Sequence, residues 1–285
     1  MLTVLESINL SAEYLEKKGI ESARTNAEML LADILECKRL DLYLKFDRPL
    51  NEKEKDQYRE YIARRGKFEP LQYILGHVEF YGEDFDVDEN VLIPRQETEI
   101  LVETIIEKYS DQQNLKIMDI GTGSGIIPIL LSKHLNVEKI TAIDISEKAI
   151  TTATKNIAKH NLSDKIELKH LNIFEINNNG LDEKYDIIVS NPPYVSETEF
   201  KTLQKEITGF EPDLAVTDFG DGYKFYKFIA ENSQNYLNQN GSLFFELGKD
   251  QDEKVKGFMQ SSGFDNICLT KDYLDINRVI SGEKR

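Results

Sequence analysis

The sequence predicts an α/β fold: a parallel sheet covered by helices on both faces, preceded by a small helical bundle. Three observations predict it. From about Glu97 onward, strand-like apolar runs alternate with helical patterns, the order that builds a parallel sheet. Residues 1–76 show helical periodicity alone. Between them, His77 to Val87 switches to a period of two. Charge changes at the same place: Met1 to Val78 holds 13 basic and 14 acidic side chains, and the remainder holds 22 and 37. The expected organisation is a helical domain over 1–76, a β-hairpin connector over 77–94 and an α/β domain over 95–285.

Each element has its own reason. Val4, Leu5, Ile8, Tyr14 and Leu15 recur at helical spacing, as do Ala23, Ala27, Leu30, Leu31, Ile34 and Leu35. Asn51 followed by Glu54 opens a third helix with a capping box, and Tyr58, Tyr61 and Ile62 lie on one side of it. Val78 and Phe80 alternate with polar residues, Gly82-Glu83-Asp84 can turn, and Phe85 and Val87 alternate again: a hairpin. Strand-like runs follow at Lys116–Ile120, Lys139–Ile143, Lys165–Lys169, Tyr185–Ser190 and Gly241–Glu246, with helices such as Ile126–Leu135 and Ser146–His160 between them. Ile267–Thr270 and Arg278–Ser281 add two more strands. Asn177-Asn178-Asn179-Gly180 reads as a loop.

Composition excludes several classes. A net charge of −16 argues against broad adhesion to nucleic acid or anionic lipid. No apolar run of about 18 residues encodes a membrane span, and the N-terminus has no signal-peptide pattern. Cys37 and Cys268 are isolated and the four histidines are scattered, so neither a disulfide scaffold nor a metal site is expected. A cytoplasmic monomer is the expectation.

The first predicted strand runs through Asp119-Ile120 into Gly121-Thr122-Gly123-Ser124-Gly125 and directly into a helix. Glycines let the backbone turn and approach a ligand, and the helix start offers free N–H groups. The plainer reading is a tight turn without a ligand. The G-x-G-x-G spacing differs from a dinucleotide fingerprint, and no Gly-Lys-Ser/Thr follows, so it is not a P-loop. Asp144 ends the next strand, where a carboxylate can accept from both ribose hydroxyls; alternatively it caps the following helix. Loop and carboxylate together indicate an adenosine-containing cofactor.

The fourth strand stops at Asn191-Pro192-Pro193-Tyr194. Two prolines cannot continue a buried strand, because neither has an N–H for the ladder. An amide or aromatic amino nitrogen attacks carbon poorly, since its lone pair is delocalised. If the Asn191 side-chain carbonyl and the Pro192 backbone carbonyl each accept one of its N–H groups, the nitrogen is held while its lone pair turns to an electrophile. Tyr194 offers a flat face for a planar amide or base. Such positioning contributes up to about 7–11 kcal/mol.

These motifs together resemble S-adenosylmethionine-dependent methyltransferases that act on amino groups. Pro70-Leu71-Gln72-Tyr73-Ile74-Leu75-Gly76, Glu79-Phe80-Tyr81-Gly82, Val91-Leu92-Ile93-Pro94-Arg95-Gln96-Glu97-Thr98-Glu99, Glu211-Pro212, Leu214-Ala215 and Gly220-Asp221-Gly222 narrow the match. The chain resembles the peptide chain release factor glutamine methyltransferases, the PrmC/HemK family, over essentially its whole length.

The resemblance implies a Rossmann-like seven-stranded methyltransferase domain. It implies methyl transfer from S-adenosyl-L-methionine, with S-adenosyl-L-homocysteine as product, to the glutamine side-chain nitrogen in the Gly-Gly-Gln motif of class 1 peptide chain release factors. Carried over by motif, Gly121, Thr122, Gly123, Ser124, Gly125 and Asp144 would bind the cofactor, with Phe174 lining the adenine or packing in the core. Asn191, Pro192, Pro193 and Tyr194 would hold the glutamine, with Asn191 touching both ligands and Asn191, Pro192 and Tyr194 serving catalysis. Arg95, Glu97 and Thr98 would lie near the cofactor, or else form a helix start with a surface ion pair. The helical domain would dock the release factor. Two departures stand out: Gln96 replaces the family's usual proline, and Asn172 an acidic residue.

Two rival readings carry weight. An adenine N6-methyltransferase of DNA or RNA faces the same chemical problem but needs a phosphate-tracking surface. Arg64-Arg65-Gly66-Lys67 is the one small basic patch, read here as a solvated helix end. A non-catalytic scaffold would have no need of Asn191-Pro192-Pro193-Tyr194.

Overall fold

The computed structural model describes residues 2–178 and 183–285. Its contacts divide the chain into two units: Met1–His77 with Gln204–Phe210, and Val78–Leu203 with Glu211–Arg285.

The first unit is helical, as its periodicity predicts. It comprises α1 (Val4–Lys17), α2 (Ala23–Ile34), a 3₁₀ turn (Arg39–Leu44), α3 (Glu52–Arg65), α4 (Leu71–Leu75) and, from much later in the chain, α9 (Lys205–Phe210). Thr3 with Glu6 and Asn51 with Glu54 form capping boxes that start α1 and α3, each cap worth about 1 kcal/mol. Val4, Ile8, Leu15, Leu30, Leu31, Tyr58 and Ile62 make its core. The basic patch differs from expectation. Arg65 is buried, bonded to Asn26 Oδ1 (2.7 Å), the Glu69 carbonyl (3.1 Å) and Glu206 Oε1 (2.9 Å), while Arg64 pairs with Glu69 (2.6 Å). A buried guanidinium needs all such partners, so this corner is structural.

The hairpin pairs β1 (His77–Phe80) with β2 (Glu83–Asp86). Its turn is Tyr81-Gly82, one step earlier than the sequence suggests, and both residues have positive φ, as a two-residue type I′ turn requires. Asn156 fastens the hairpin, accepting from Asp86 N–H (2.8 Å) and donating to its carbonyl (2.9 Å).

The second unit is built on one seven-stranded sheet. In chain order it contains α5 (Glu97–Tyr109), β3 (Leu115–Ile120), α6 (Ile126–His134), β4 (Val137–Asp144), α7 (Glu147–Lys159), β5 (Ile166–His170), a 3₁₀ turn (Ile173–Asn178) and β6 (Tyr185–Ser190). The short helices α8 (Glu197–Phe200) and α10 (Asp213–Val216) follow, then α11 (Lys224–Ser233), β7 (Leu237–Glu246), α12 (Asp252–Ser261), β8 (Phe264–Lys271) and β9 (Asn277–Lys284). The Asn177–Gly180 loop is helical through Asn178, and its remainder lies outside the described residues.

The strand order is β5-β4-β3-β6-β7-β9-β8. The first five strands in that order are parallel, and β9 runs antiparallel to both β7 and β8. All seven expected strands are present. Successive residues fall into different cores: Ile117, Ile187, Phe244 and Val279 into one, Met118, Ile188, Phe245 and Ile280 into the other. Both faces are therefore covered, which is why the strands read as continuous apolar runs. From β3 the chain winds outward one way to β4 and β5; from β6 it winds the other way to β7. The crevice between β3 and β6, at their carboxyl ends, is where such sheets bind ligands.

Candidate active site

A cleft of about 170 Å³ opens at that switch point. Gly121 and Gly123 from the loop after β3, Asp144 at the end of β4, Phe174, and Asn191, Pro192 and Pro193 after β6 all line it. Ser190 Oγ donates to the Ile120 carbonyl (2.8 Å), clamping the ends of β3 and β6 together. A methyl group placed on Gly121 would stand 4.0 Å from the main-chain carbonyl oxygen of Asn191, so the two motifs are in near contact.

The remaining glycine-loop residues support rather than line the cleft. Gly125 has φ +83° at the start of α6, and a Cβ there would lie 3.3 Å from the Ala153 methyl on α7. Its role is the tight helix approach. The Ser124 carbonyl accepts from Asn156 Nδ2 (2.8 Å), so one asparagine joins loop, α7 and hairpin. Thr122 is buried.

Asp144 is not the cap of α7; Ser146 is, accepting from Ala149 N–H (3.2 Å). The Asp144 oxygens accept from the N–H groups of Gly123 (2.9 Å) and Ser146 (2.8 Å), which fixes the loop against β4. Burial raises its pKa, and those two N–H donors oppose the shift. Phe174 both lines the cleft and packs on Phe225 and Phe228, with ring centroids 5.0 and 4.7 Å away. Asn172 spends part of its acceptor capacity on Phe174 N–H (3.1 Å), the turn expected of an asparagine.

The Asn191 amide nitrogen donates to Thr98 Oγ1 (3.2 Å). Among the described residues its side-chain oxygen, Oδ1, accepts no hydrogen bond, and Asn191 lines the cleft. Tyr194 is not among the cleft's lining residues. Its hydroxyl donates to Glu246 Oε1 (3.3 Å), its carbonyl accepts from Gln251 Nε2 (2.9 Å), and burial raises its pKa. Arg95 and Glu97 form ion pairs, with Glu211 (2.6 Å) and Arg278 (3.3 Å).

Sequence reasoning passed over three carboxylates here. Glu211 is buried and ties Arg95 to the Ile93 N–H (3.3 Å). Glu246 is fully buried at the end of β7, and burial pushes its pKa up to about 7. Asp119 is fully buried near the end of β3, and neither of its oxygens has a hydrogen-bond partner among the described residues. Burial, opposed by the neighbouring Thr122 hydroxyl and helped by the Asp144 charge, pushes it up to about 7. The signal was present for Asp119 and Glu246: one acidic residue inside an apolar strand, as in Leu243-Phe244-Phe245-Glu246-Leu247. Glu211 lies outside any strand, between α9 and α10, and gives no such signal.

The apolar walls and the Asp144 carboxylate suit a ligand with a planar base and a ribose. Buried Asp119, two residues before Gly121, has no hydrogen-bond partner of good geometry among the described residues and so suits a positive charge. That is the chemistry of S-adenosylmethionine, so the residues present fit the group.

The doubly wound sheet and its glycine-lined cleft define a methyltransferase, and residues 95–209 match the family described as methyltransferase small domain. Residues 6–76 match the PrmC N-terminal domain. A release factor glutamine methyltransferase of Fusobacterium nucleatum is 41% identical over 284 residues, covering 98% of this chain and 78% of that one. One from Geobacter sulfurreducens is 38% identical over 280 residues, covering 98% and 96%. Among solved structures, a methyltransferase from Pyrococcus furiosus has a TM-score of 0.51 at 17% identity, covering 82% of this chain and 98% of that one, a likeness of fold. The chain belongs to the release factor glutamine methyltransferase family.

Proposed function

We propose that this chain methylates the side-chain amide nitrogen of the glutamine in the Gly-Gly-Gln motif of class 1 peptide release factors, using S-adenosylmethionine. The observation that carries the reading is Asn191: it lines the cleft with its main chain beside Gly121, its side-chain nitrogen donates to buried Thr98, and its side-chain oxygen accepts no hydrogen bond among the described residues. That carbonyl and the Pro192 backbone carbonyl accept the two N–H groups of the glutamine amide. Held by both, the nitrogen turns its lone pair out of the amide plane.

When bound, the cofactor supplies a methyl carbon made electrophilic by positive sulfur. Gly121, Gly123 and Asp144 hold its nucleoside, Thr122, Ser124 and Gly125 set the loop, Phe174 flanks the base, and Asp119 offers a negative charge to its ammonium group. The methylated amide nitrogen is acidic enough to lose its surplus proton to water, so no side chain need act as general base. Pro193 stiffens the corner and Tyr194 anchors its far end. The helical unit grips the release factor, for which Leu40, Tyr43, Leu44 and Phe46 offer an exposed apolar surface.

Mass spectrometry of release factor incubated with protein and cofactor should find one added methyl, on the Gly-Gly-Gln glutamine. Asn191→Ala should lower turnover at least about 10²–10³-fold, the scale of losing one positioned hydrogen-bond partner, with melting temperature nearly unchanged. A methyl found elsewhere, or an unimpaired Asn191→Ala protein, refutes the reading.

A further inference from the structure

We infer that Glu246, acting through Thr98, is a positioning residue that sets which end of the Asn191 amide faces the substrate. The inference rests on the reading of Asn191 given above and adds the device that makes its orientation unique. Thr98 Oγ1 lies 2.6 Å from Glu246 Oε2 and 3.2 Å from Asn191 Nδ2. An ionised carboxylate only accepts, so the single Thr98 hydroxyl proton goes to Glu246. The Thr98 oxygen then faces Asn191 with lone pairs, and only the NH₂ end of the amide satisfies it. The carbonyl is thereby directed to the cleft, where an acceptor is needed.

With the chain of polarity broken, the amide can rotate by half a turn. It would then present two donors to a substrate group that is itself NH₂, which opposes binding in the reactive pose. Tyr194 reinforces the arrangement by donating to the other oxygen, Glu246 Oε1 (3.3 Å), so both ends of the Asn-Pro-Pro-Tyr corner end on one carboxylate. Tyr226 of α11 donates to the Glu246 main-chain carbonyl (2.8 Å) and holds that residue in place.

A neutral Glu246 can donate to Thr98, freeing the threonine proton to meet the asparagine carbonyl and favour the wrong end. The groups facing Glu246 are Glu97 and Thr98 from α5, Tyr194 after β6, Tyr226 from α11 and Arg278 from β9. Glu97 raises its pKa and Arg278 lowers it, while burial dominates. Protonation of Glu246 as pH falls through about 7 should therefore lower the rate of methyl transfer.

The test is single-turnover kinetics on intact release factor at saturating cofactor, from pH 5.5 to 8.5. Wild-type protein should show an acid limb near pH 7, and Glu246→Gln should be flat across the range. Thr98→Val, which keeps shape and removes the relay, should lower the rate about 10–100-fold with cofactor affinity within about twofold. Thr98→Ser should restore it. A wild-type profile without the limb, a limb that persists in Glu246→Gln, or a Thr98→Val protein within twofold of wild type would each overturn the inference. Absence of any methylated glutamine with wild-type protein would instead fault the proposed function.

Discussion

Asp119 carries a full carboxyl group in a fully buried place, and its folded-state pKa of about 7 stands above the ordinary 3.8. A carboxyl raised in this way makes the folded state bind more protons than the unfolded chain. Its contribution to stability therefore falls as pH rises from about 4 to about 7 and is flat above. Glu246, also raised to about 7, acts in the same direction. A cationic ligand reverses the balance, because it needs the ionised form. Thermal melts of the ligand-free protein should show Asp119→Asn more stable than wild type at pH 8, less so at pH 5, and nearly equal to it only at pH 4. Calorimetric titration should show wild-type affinity for S-adenosylmethionine rising from pH 6 to 8, and Asp119→Asn binding weakly at both. A wild-type affinity independent of pH would contradict this role.

At the scale of elements, α5 is the member that ties the site to the rest of the sheet. Arg95, just before it, reaches Glu211; Glu97 reaches Arg278; Thr98 joins Asn191 to Glu246. Gln96 precedes its first turn with φ −57°, a value proline shares, and among the described residues its N–H donates no backbone hydrogen bond. Gln96→Pro should add about 0.4–1 kcal/mol by restricting the unfolded chain, seen as a melting temperature roughly 1–3 °C higher. A lower melting temperature would mean that Arg95 cannot take the extended form proline demands. Of this helix only the start was legible, as the alternative reading of Arg95, Glu97 and Thr98; the strands and the glycine turn were legible outright, since each is a pattern within a few consecutive residues. Asn191-Pro192-Pro193-Tyr194 was legible for the same reason. The partners of Asn191 were not. Thr98 and Glu246 are 148 positions apart and meet only because α5 packs on β7; Asn191 joins them because β6 lies beside β7. Arg65 misled in the opposite sense: its neighbours in sequence are polar, and the acid that buries it comes from residue 206.

On the scale of the whole molecule, the net charge of −16 resides almost wholly beyond Val78, while the near-neutral helical unit carries exposed Leu40, Tyr43, Leu44 and Phe46. Apolar groups in the open need a partner to cover them, and a protein substrate is large enough to be held at a second place. Leu44→Glu, at a side chain 83% exposed, should raise KM for intact release factor about tenfold or more and leave cofactor affinity and the limiting rate alone. A falling limiting rate would place Leu44 in the chemistry instead. The membership of Gln204–Phe210 in the helical unit has a different consequence. Heredity shuffles contiguous stretches of chain, yet this bundle is assembled from two that are far apart. A crossover near residue 77 would join a foreign bundle to the native 204–210 segment, leaving Glu206 without the Arg65 guanidinium it pairs with. Lineages that trade one piece must trade its distant companion as well.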